Sequence, residues 1–536
     1  MEKKRGVLIQ LIALFARIPL TRIIGDEGNG IYAAAFEMYT ILLIISVWCM
    51  PDALSHMMRV RIARGQYKNA HGAFKVAFLW NMILSIIACL VLVFGGDYLA
   101  SYLLMVPMSA LTMKMLGPSI IIAGIVASFR GYFQGMGTSM PTVVSNGIQQ
   151  VVSAAASILA SMFICTYGIK VAHLLHNNSF AAAYAVLGIG LGNLIGLFVA
   201  LLFLLFVFFV YKKKRARLLG KEIGKGNESN GDVIRSMLYI LVPLIVTSCI
   251  FNVNRILDQI LYNGVMITDG NTTSHVVNFG IYAGKYRVLM EIPIVLASTI
   301  WLPLIPALEK SYQRVEQKLI RNRIATVYRL SMIVVMPFVV NAVLLARPIL
   351  NMLFKGNVTL SAQLLQYGSS FILFFSFAMI GNAILQGIGK YKVITSGTLL
   401  ALMIHIISMM FLLKYLKLDI YAVVYANIIM SIVMCIFNYI FIKKYLKYTP
   451  EWLKTVVFPF VAAVISGLIA LLIYSVCNGS LGNTAALIIA ALISVIAYLF
   501  FIVAFRMINE KEIKALPGGS VISRVAKTLQ LLPSQK

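Results

Sequence analysis

Apolar runs of about 20 residues recur from one end of this chain to the other, each long enough to cross a hydrocarbon core of about 30 Å as a helix. A bilayer offers no water to the backbone, so runs of this kind satisfy their own N–H and C=O groups as helices. Counting them predicts about 14 transmembrane segments, over 6–24, 31–52, 72–95, 116–136, 142–164, 180–211, 236–258, 281–306, 327–347, 367–388, 393–413, 421–442, 455–476 and 484–506. The fold class is therefore an all-α polytopic membrane protein. Composition agrees. Only 12% of the 536 residues are charged and 60% are hydrophobic, with mean hydropathy +0.89, against about 25% charged in a soluble domain. A soluble enzyme, a secreted disulfide scaffold and a disordered chain are excluded.

The net charge of +28 raises the prospect of nucleic acid, because basic patches bind phosphate backbones. The position of the charge argues otherwise. With the N-terminus inside, most of the 46 Lys and Arg residues fall on one side, at 3–5, 59–75, Arg130, 212–235, 310–329, 390–392, 443–454 and 506–536. The other side receives Lys114, Lys170, Lys355, Lys414 and Lys417. Cytoplasmic loops are enriched in Lys and Arg, so both termini are predicted cytoplasmic. The charge then serves topology and contact with anionic membrane lipids, not nucleic acid. Residues 1–24 combine a basic start with an apolar stretch, as signal peptides do. Arg17 and Arg22 interrupt that stretch and Ala33-Ala34-Ala35 lies far beyond it, so a retained first helix is expected. The six cysteines stand singly, without a CxxC spacing, and read as small packing residues. No metal and no cofactor is called for.

The longest hydrophilic break, 212–235, mixes Lys and Arg with Gly, Asn and Ser and reads as a flexible basic linker. It leaves six segments before it and eight after. Short strings recur across it. Phe133-Gln134-Gly135-Met136-Gly137 closes segment 4 and Leu385-Gln386-Gly387-Ile388-Gly389 closes segment 10. Trp48 with Pro51-Asp52-Ala53-Leu54 at the end of segment 2 resembles Trp301 with Pro306-Ala307-Leu308 at the end of segment 8. Tyr184-Ala185-Val186 and Tyr421-Ala422-Val423 open segments 6 and 12. Three matches in the same order, six segments apart, predict a duplication. An even number of helices per repeat makes the halves parallel. The expected organisation is a six-helix lobe at 1–211, the linker 212–235, a second six-helix lobe at 236–442, an appended pair of helices at 455–506 and a cytoplasmic tail at 507–536.

Four stretches carry a resemblance: ARIPLTRIIGDEGNGIYAAAFEMYTILL (16–43), RIARGQYKNA (61–70), SFRGYFQGMGTSMPTVVSNGIQQ (128–150) and GKYRVLMEIPIVL (284–296). With them the chain resembles the polysaccharide-transporter branch of the multidrug/oligosaccharidyl-lipid/polysaccharide (MOP) exporter superfamily, and within it the lipid II flippases of the MurJ and SpoVB type. The resemblance implies two six-helix lobes in a V around a cationic cavity, probing each side of a bacterial plasma membrane in turn. It implies an undecaprenyl-pyrophosphate-linked saccharide as cargo, and a groove for the polyprenyl tail at segments 13 and 14. In flippases of this type from Gram-negative bacteria an Arg directly precedes the LMEFP string. Here Val288 stands in that place, with Lys285 and Arg287 just upstream.

Charges within the spans each need a reason, since one at mid-bilayer costs about 2.5–3.5 kcal/mol on insertion scales. The candidates to line the cavity and bind substrate are Arg17 and Arg22 in segment 1, Arg255 in segment 7, and Lys285 and Arg287 in segment 8. Guanidinium forks grip phosphate oxygens bidentately. Glu37, Asp258 and Glu291 are expected either to bind a coupling Na+ or H+ or to pair with the cations. Arg255 and Asp258 stand i, i+3 and Arg287 and Glu291 i, i+4, spacings that also allow internally neutralised pairs. Arg22, near a helix end, is within reach of headgroups.

Pro51, Pro243, Pro293, Pro303, Pro306 and Pro337 fall in or at the ends of segments, where they remove a backbone bond and kink. Gly188, Gly190, Gly192 and Gly196 give segment 6 the spacing of close helix contact. His405 reads as a packed core histidine. An enzyme such as a polyprenyl-phosphate glycosyltransferase needs paired acids for metal or acid–base work. Of the 18 acids, Asp26-Glu27 is the tight pair, on the predicted outer face, and Glu309 and Glu316 lie among basic residues. The sequence therefore predicts a transporter without a chemical step, functional as a monomer. Its cargo is a lipid II-like precursor, with a teichoic or capsular unit, or cation-coupled drug export of the MATE kind, as the alternatives.

Overall fold

The computed structural model describes residues 2–212, 216, 217, 220, 228–268, 275–314, 316–505 and 507. Much of the basic linker (213–215, 218, 219 and 221–227) and the tail from 508 onward lie outside the described residues. The described chain is helical throughout: α1 (Glu2–Leu43), α2 (Met50–Ala63), α3 (Tyr67–Tyr98), α4 (Ala110–Gly135), α5 (Met140–Leu174), α6 (Ser179–Val210), α7 (Asn230–Thr268), α8 (His275–Ile281), α9 (Arg287–Trp301), α10 (Leu304–Gln313), α11 (Gln317–Leu344), α12 (Ala346–Leu353), α13 (Thr359–Gly368), α14 (Ser370–Gly387), α15 (Tyr391–Lys414), α16 (Ile420–Leu446) and α17 (Phe458–Ala504). Pro243, Pro293 and Pro337 lie inside α7, α9 and α11, while Pro51 opens α2 and Pro303 stands in the break before α10.

Among the described residues, 12 stretches are long and apolar enough to cross a membrane, where the sequence predicts about 14. The difference lies at two places. Ile12–Ala63 and Leu453–Ala504 each run 52 residues, which as one straight helix would reach about 78 Å. Neither is straight. Gly25 (φ 71°) and Gly482 (φ 74°) break their helices in the left-handed region that glycine enters without strain. Past Gly25, Asn29 and Tyr32 return to touch Arg17. Past Gly482, Asn483 Oδ1 accepts from Tyr474 Oη, and Phe505 reaches Phe458 with ring centroids 5.8 Å apart. Each long run is thus a helical hairpin. The turns fall in the gaps between 24 and 31 and between 476 and 484, where the apolar pattern lapses.

By packing, the chain divides into two compact units, Met1–Gly284 with Leu413–Ile420, and Lys285–Leu412 with Tyr421–Lys536. The lobes expected at 1–211 and 236–442 are drawn from the repeated strings, a criterion separate from packing. In the first unit α5 and α6 touch along their backbones. Gly188, Gly192 and Gly196 face Ser161, Ser157 and Ser153, and the Ser157 and Ser161 hydroxyls donate to the carbonyls of Ile189 (3.2 Å) and Ala185 (2.7 Å). Lipid tails are as apolar as leucine, so close packing and interhelical bonds of this sort hold such helices together. Buried asparagines do the same elsewhere. Asn81 Nδ2 donates to Gly124 O (2.7 Å) and Ser128 Oγ (3.0 Å), tying α3 to α4. In the second unit Asn438 Nδ2 donates to Ala378 O and Asn382 Oδ1, both at 3.0 Å, tying α16 to α14. His405 is fully buried.

The repeated strings have one physical meaning in both units. Each ends its helix with a glycine at positive φ, Gly137 (82°) and Gly389 (74°). The two crossing bonds that follow are the same. Thr138 N donates to Phe133 O and Gly137 N to Gln134 O, as Lys390 N does to Leu385 O and Gly389 N to Gln386 O. This is the glycine-terminated Schellman cap. The caps are also seated alike: Gly131 and Gly135 lie on Pro51, Leu54 and Met58 of α2, and Gly387 lies on Ile305 and Leu308 of α10. In each unit the capped helix thus rests on the helix that carries the matched proline, α2 or α10.

Candidate functional site

The candidate site starts from the turn at Gly25. In the first unit the stretch 275–284 docks on residues 26–30 at main-chain contact. A Cβ at Gly30 would run into the Val276 carbonyl, one at Gly280 into the Asp26 carbonyl, and one at Gly284 into the Asn29 side chain. Thr21 Oγ1 lies 3.3 Å from both Gly284 O and Asn29 Oδ1. Asn29, fully buried, donates its own Nδ2 to Gly25 O at 2.6 Å. Against this frame lies Arg17, half-buried. Its Nη2 donates to Asn29 Oδ1 at 2.9 Å, and its Cζ stands 3.4 Å from the centroid of the Tyr32 ring. Tyr32 is itself stacked on Phe36, centroids 4.1 Å apart.

The remaining sequence-predicted residues divide between the units. Arg22 is exposed, Glu37, next to Phe36 in the chain, is buried, Arg255 is exposed and Asp258 is buried, and all belong to the first unit with Arg17. Ile256, next to Arg255, packs in the apolar core with Leu20, Ile24, Ala34 and Ala35, so α7 presents Arg255 away from that core. Lys285, Arg287 and Glu291 belong to the second unit. Lys285 is 2% exposed, whereas Arg287 and Glu291 are half-buried at the start of α9. A π-helical turn, Tyr282–Tyr286, precedes α9, a form frequent at functional sites. Tyr286 Oη donates to Gly368 O at 3.2 Å and so anchors this start to α13. Among the described residues no group of three or more His, Cys, Asp or Glu side chains is arranged to hold a metal ion.

Sequence reasoning that looks for charge misses the neutral groups that position it: Thr21, Asn29 and Tyr32 about Arg17. The signal available was their polarity within an apolar run. It also counts Arg61 and Arg130 with the loop charges. Arg61, 8% exposed, bonds the Glu228 carboxylate through Nε (2.8 Å) and Nη2 (2.6 Å), and Asn69 Oδ1 accepts the Glu228 N–H at 3.3 Å. Arg130 donates to Ser145 Oγ (3.0 Å) and Gln149 Oε1 (2.8 Å) of α5. Asp419, in the segment that joins the first unit, accepts from Tyr262 Oη (2.5 Å) and Asn278 Nδ2 (3.1 Å).

The helical fold is shared with solved transporters. The chain aligns with a multidrug resistance MATE family transporter of the MOP superfamily in an inward-facing conformation, at TM-score 0.63 and 15% identity, over 82% of this chain and 94% of that one. It aligns with the lipid II flippase MurJ in an inward closed conformation at TM-score 0.60 and 14% identity, over 94% and 98%. The fold is thus that of a MATE- or MurJ-like multi-pass membrane transporter. In sequence the chain is 22% identical to lipid II flippase MurJ of Bacillus subtilis (strain 168), over 76% of each. It is 21% identical to stage V sporulation protein B of the same organism, over 96% of this chain and 95% of that one. Residues 5–312 match the polysaccharide biosynthesis protein family, and the chain belongs to that family. It is a MOP-superfamily transporter of the polysaccharide biosynthesis type and not an enzyme.

Proposed function

We propose that this transporter is a flippase that carries an undecaprenyl-pyrophosphate-linked saccharide, a lipid II-like cell-wall precursor, across the bacterial plasma membrane by alternating access. One observation carries the reading: basic side chains (Arg17, Arg22, Arg255, Lys285 and Arg287) stand within apolar segments of a polysaccharide-biosynthesis transporter. An anionic headgroup in transit offsets the cost of keeping them there, and their guanidinium forks suit the paired oxygens of pyrophosphate. The likeness to lipid II flippase MurJ supports that cargo class.

In this scheme the chain crosses the membrane fourteen times, the hairpins at Gly25 and Gly482 each supplying two crossings, and both termini are cytoplasmic. The lobes 1–211 and 236–442 form a V around a cationic cavity. They open inward to capture the pyrophosphate and rock outward to release it. The polyprenyl tail stays in lipid beside the 455–506 hairpin. Glu37, Asp258 and Glu291 pair the cations or take a coupling Na+ or H+, and anionic lipid contacts the basic linker and tail.

Depleting the protein in its own cells and assaying lipid-linked precursors by leaflet tests the reading. One undecaprenyl-pyrophosphate-linked saccharide is expected to build up on the cytoplasmic leaflet; its chemistry separates lipid II from a teichoic or capsular unit. Unchanged leaflet levels of every such precursor would contradict it. Cation-coupled drug export is the second reading, favoured by the fold likeness to a MATE family transporter. Sodium- or proton-driven extrusion of cationic dyes by the purified protein would put it first.

A further inference from the structure

Resting on the proposed flippase reading, we infer that Asn29 and Tyr32 are positioning residues that hold the Arg17 guanidinium as an oriented fork for a pyrophosphate group. The turn at Gly25 reverses the chain and brings residues 29 and 32 opposite residue 17, a juxtaposition that no straight helix permits. The two contacts are complementary. Asn29 Oδ1 takes the guanidinium at one edge, at 2.9 Å from Nη2, and fixes rotation within its plane. Tyr32 takes it on the face, with Cζ 3.4 Å from the ring centroid, and fixes the tilt of that plane. Asn29 and Tyr32 are themselves neutral groups.

The frame is itself held. Asn29 is fully buried, bonded through Nδ2 to Gly25 O and through Oδ1 to Thr21 as well as Arg17. Tyr32 is backed by Phe36, nearly parallel at 19°. Thr21 further ties the frame to Gly284 O, the residue before Lys285. An arginine held in this way has given up most of its rotamer freedom before any ligand arrives, which removes that cost from binding. A lysine cannot substitute: its ammonium has no plane to stack and no fork to match two phosphate oxygens. The ligand class that uses such a fork fully is a pyrophosphate ester, whose adjacent phosphates present pairs of oxygens.

The test measures binding of undecaprenyl pyrophosphate to the purified full-length protein in nanodiscs, with thermal melting recorded for every variant. Tyr32→Leu and Arg17→Lys are each expected to weaken binding about tenfold, and Tyr32→Phe, which keeps the ring, to bind within about twofold of the parent. Combining Tyr32→Leu with Arg17→Ala is expected to add nothing to Arg17→Ala alone, because both remove one interaction. Wild-type binding by Tyr32→Leu alongside lost binding by Arg17→Ala would overturn the positioning role and leave the flippase reading standing. Additive losses in the double variant would likewise overturn it, as they mark a purely structural tyrosine. If Tyr32→Leu does not fold, Arg17→Lys decides: wild-type affinity there overturns the inference. Wild-type affinity in Arg17→Ala would instead strike the cationic site itself, and the flippase reading with it.

Discussion

Replacing Arg17 and Arg255 together by alanine is expected to abolish transport while leaving the protein in the membrane. Hydrogen bonds to charged groups contribute about 1.5–3 kcal/mol each, so the loss of two grips on one pyrophosphate costs about 3–6 kcal/mol, on the order of 10² to 10⁴ in headgroup affinity. Neither side chain belongs to the packed core: Arg17 is half-buried and Arg255 is exposed. Folding is therefore expected to survive a change that removes function. In cells that depend on the protein, the double variant should show normal membrane abundance and the same precursor build-up as depletion. A double variant that supports growth and normal leaflet levels would remove these arginines from the account.

Gly280→Val is expected to have the largest structural effect. A Cβ there meets the Asp26 carbonyl oxygen, and across the same contact Gly30 meets the Val276 carbonyl. Overpacking a core side chain costs typically about 1–3 kcal/mol because neighbours shift. Here both obstacles are main chain, which cannot change rotamer, so a loss of about 3 kcal/mol or more is expected. The variant should give little monodisperse protein, melting well below the parent. Gly72→Ala is the control, because nothing lies within 4 Å of a Cβ at Gly72. Equal melting of the Gly280 variant and the parent would mean that 275–284 does not rest on the Gly25 turn.

Much of the fold was legible because lipid imposes a single rule, that a crossing segment be long, apolar and helical. The apolar runs locate the spans, and the lapses at Gly25 and Gly482 mark the hairpin turns. The repeated FQGMG and LQGIG strings were readable as a repeat, and their cause, a glycine-terminated helix cap, follows from local geometry. The short helices Ala346–Leu353 and Thr359–Gly368 left no trace, being too brief to register as spans.

The candidate site was only half legible. Arg17 stands out because charge in an apolar run is costly, but Asn29 and Tyr32 do not, since a hairpin pairs residues 12 and more apart in no periodic pattern. Gly30 and Gly280 are equally silent: small residues declare close approach only once the partner is known. Arg61 looked like one more topology charge, and its bond to Glu228 crosses 167 residues of chain.

The most direct measurement is leaflet exchange of a labelled undecaprenyl-pyrophosphate-linked saccharide in vesicles holding the purified protein. Exchange well above that of protein-free vesicles is expected, with competition by undecaprenyl pyrophosphate and loss of exchange in the Arg17→Ala/Arg255→Ala variant. Exchange no faster than in protein-free vesicles, or undiminished in that variant, would contradict it.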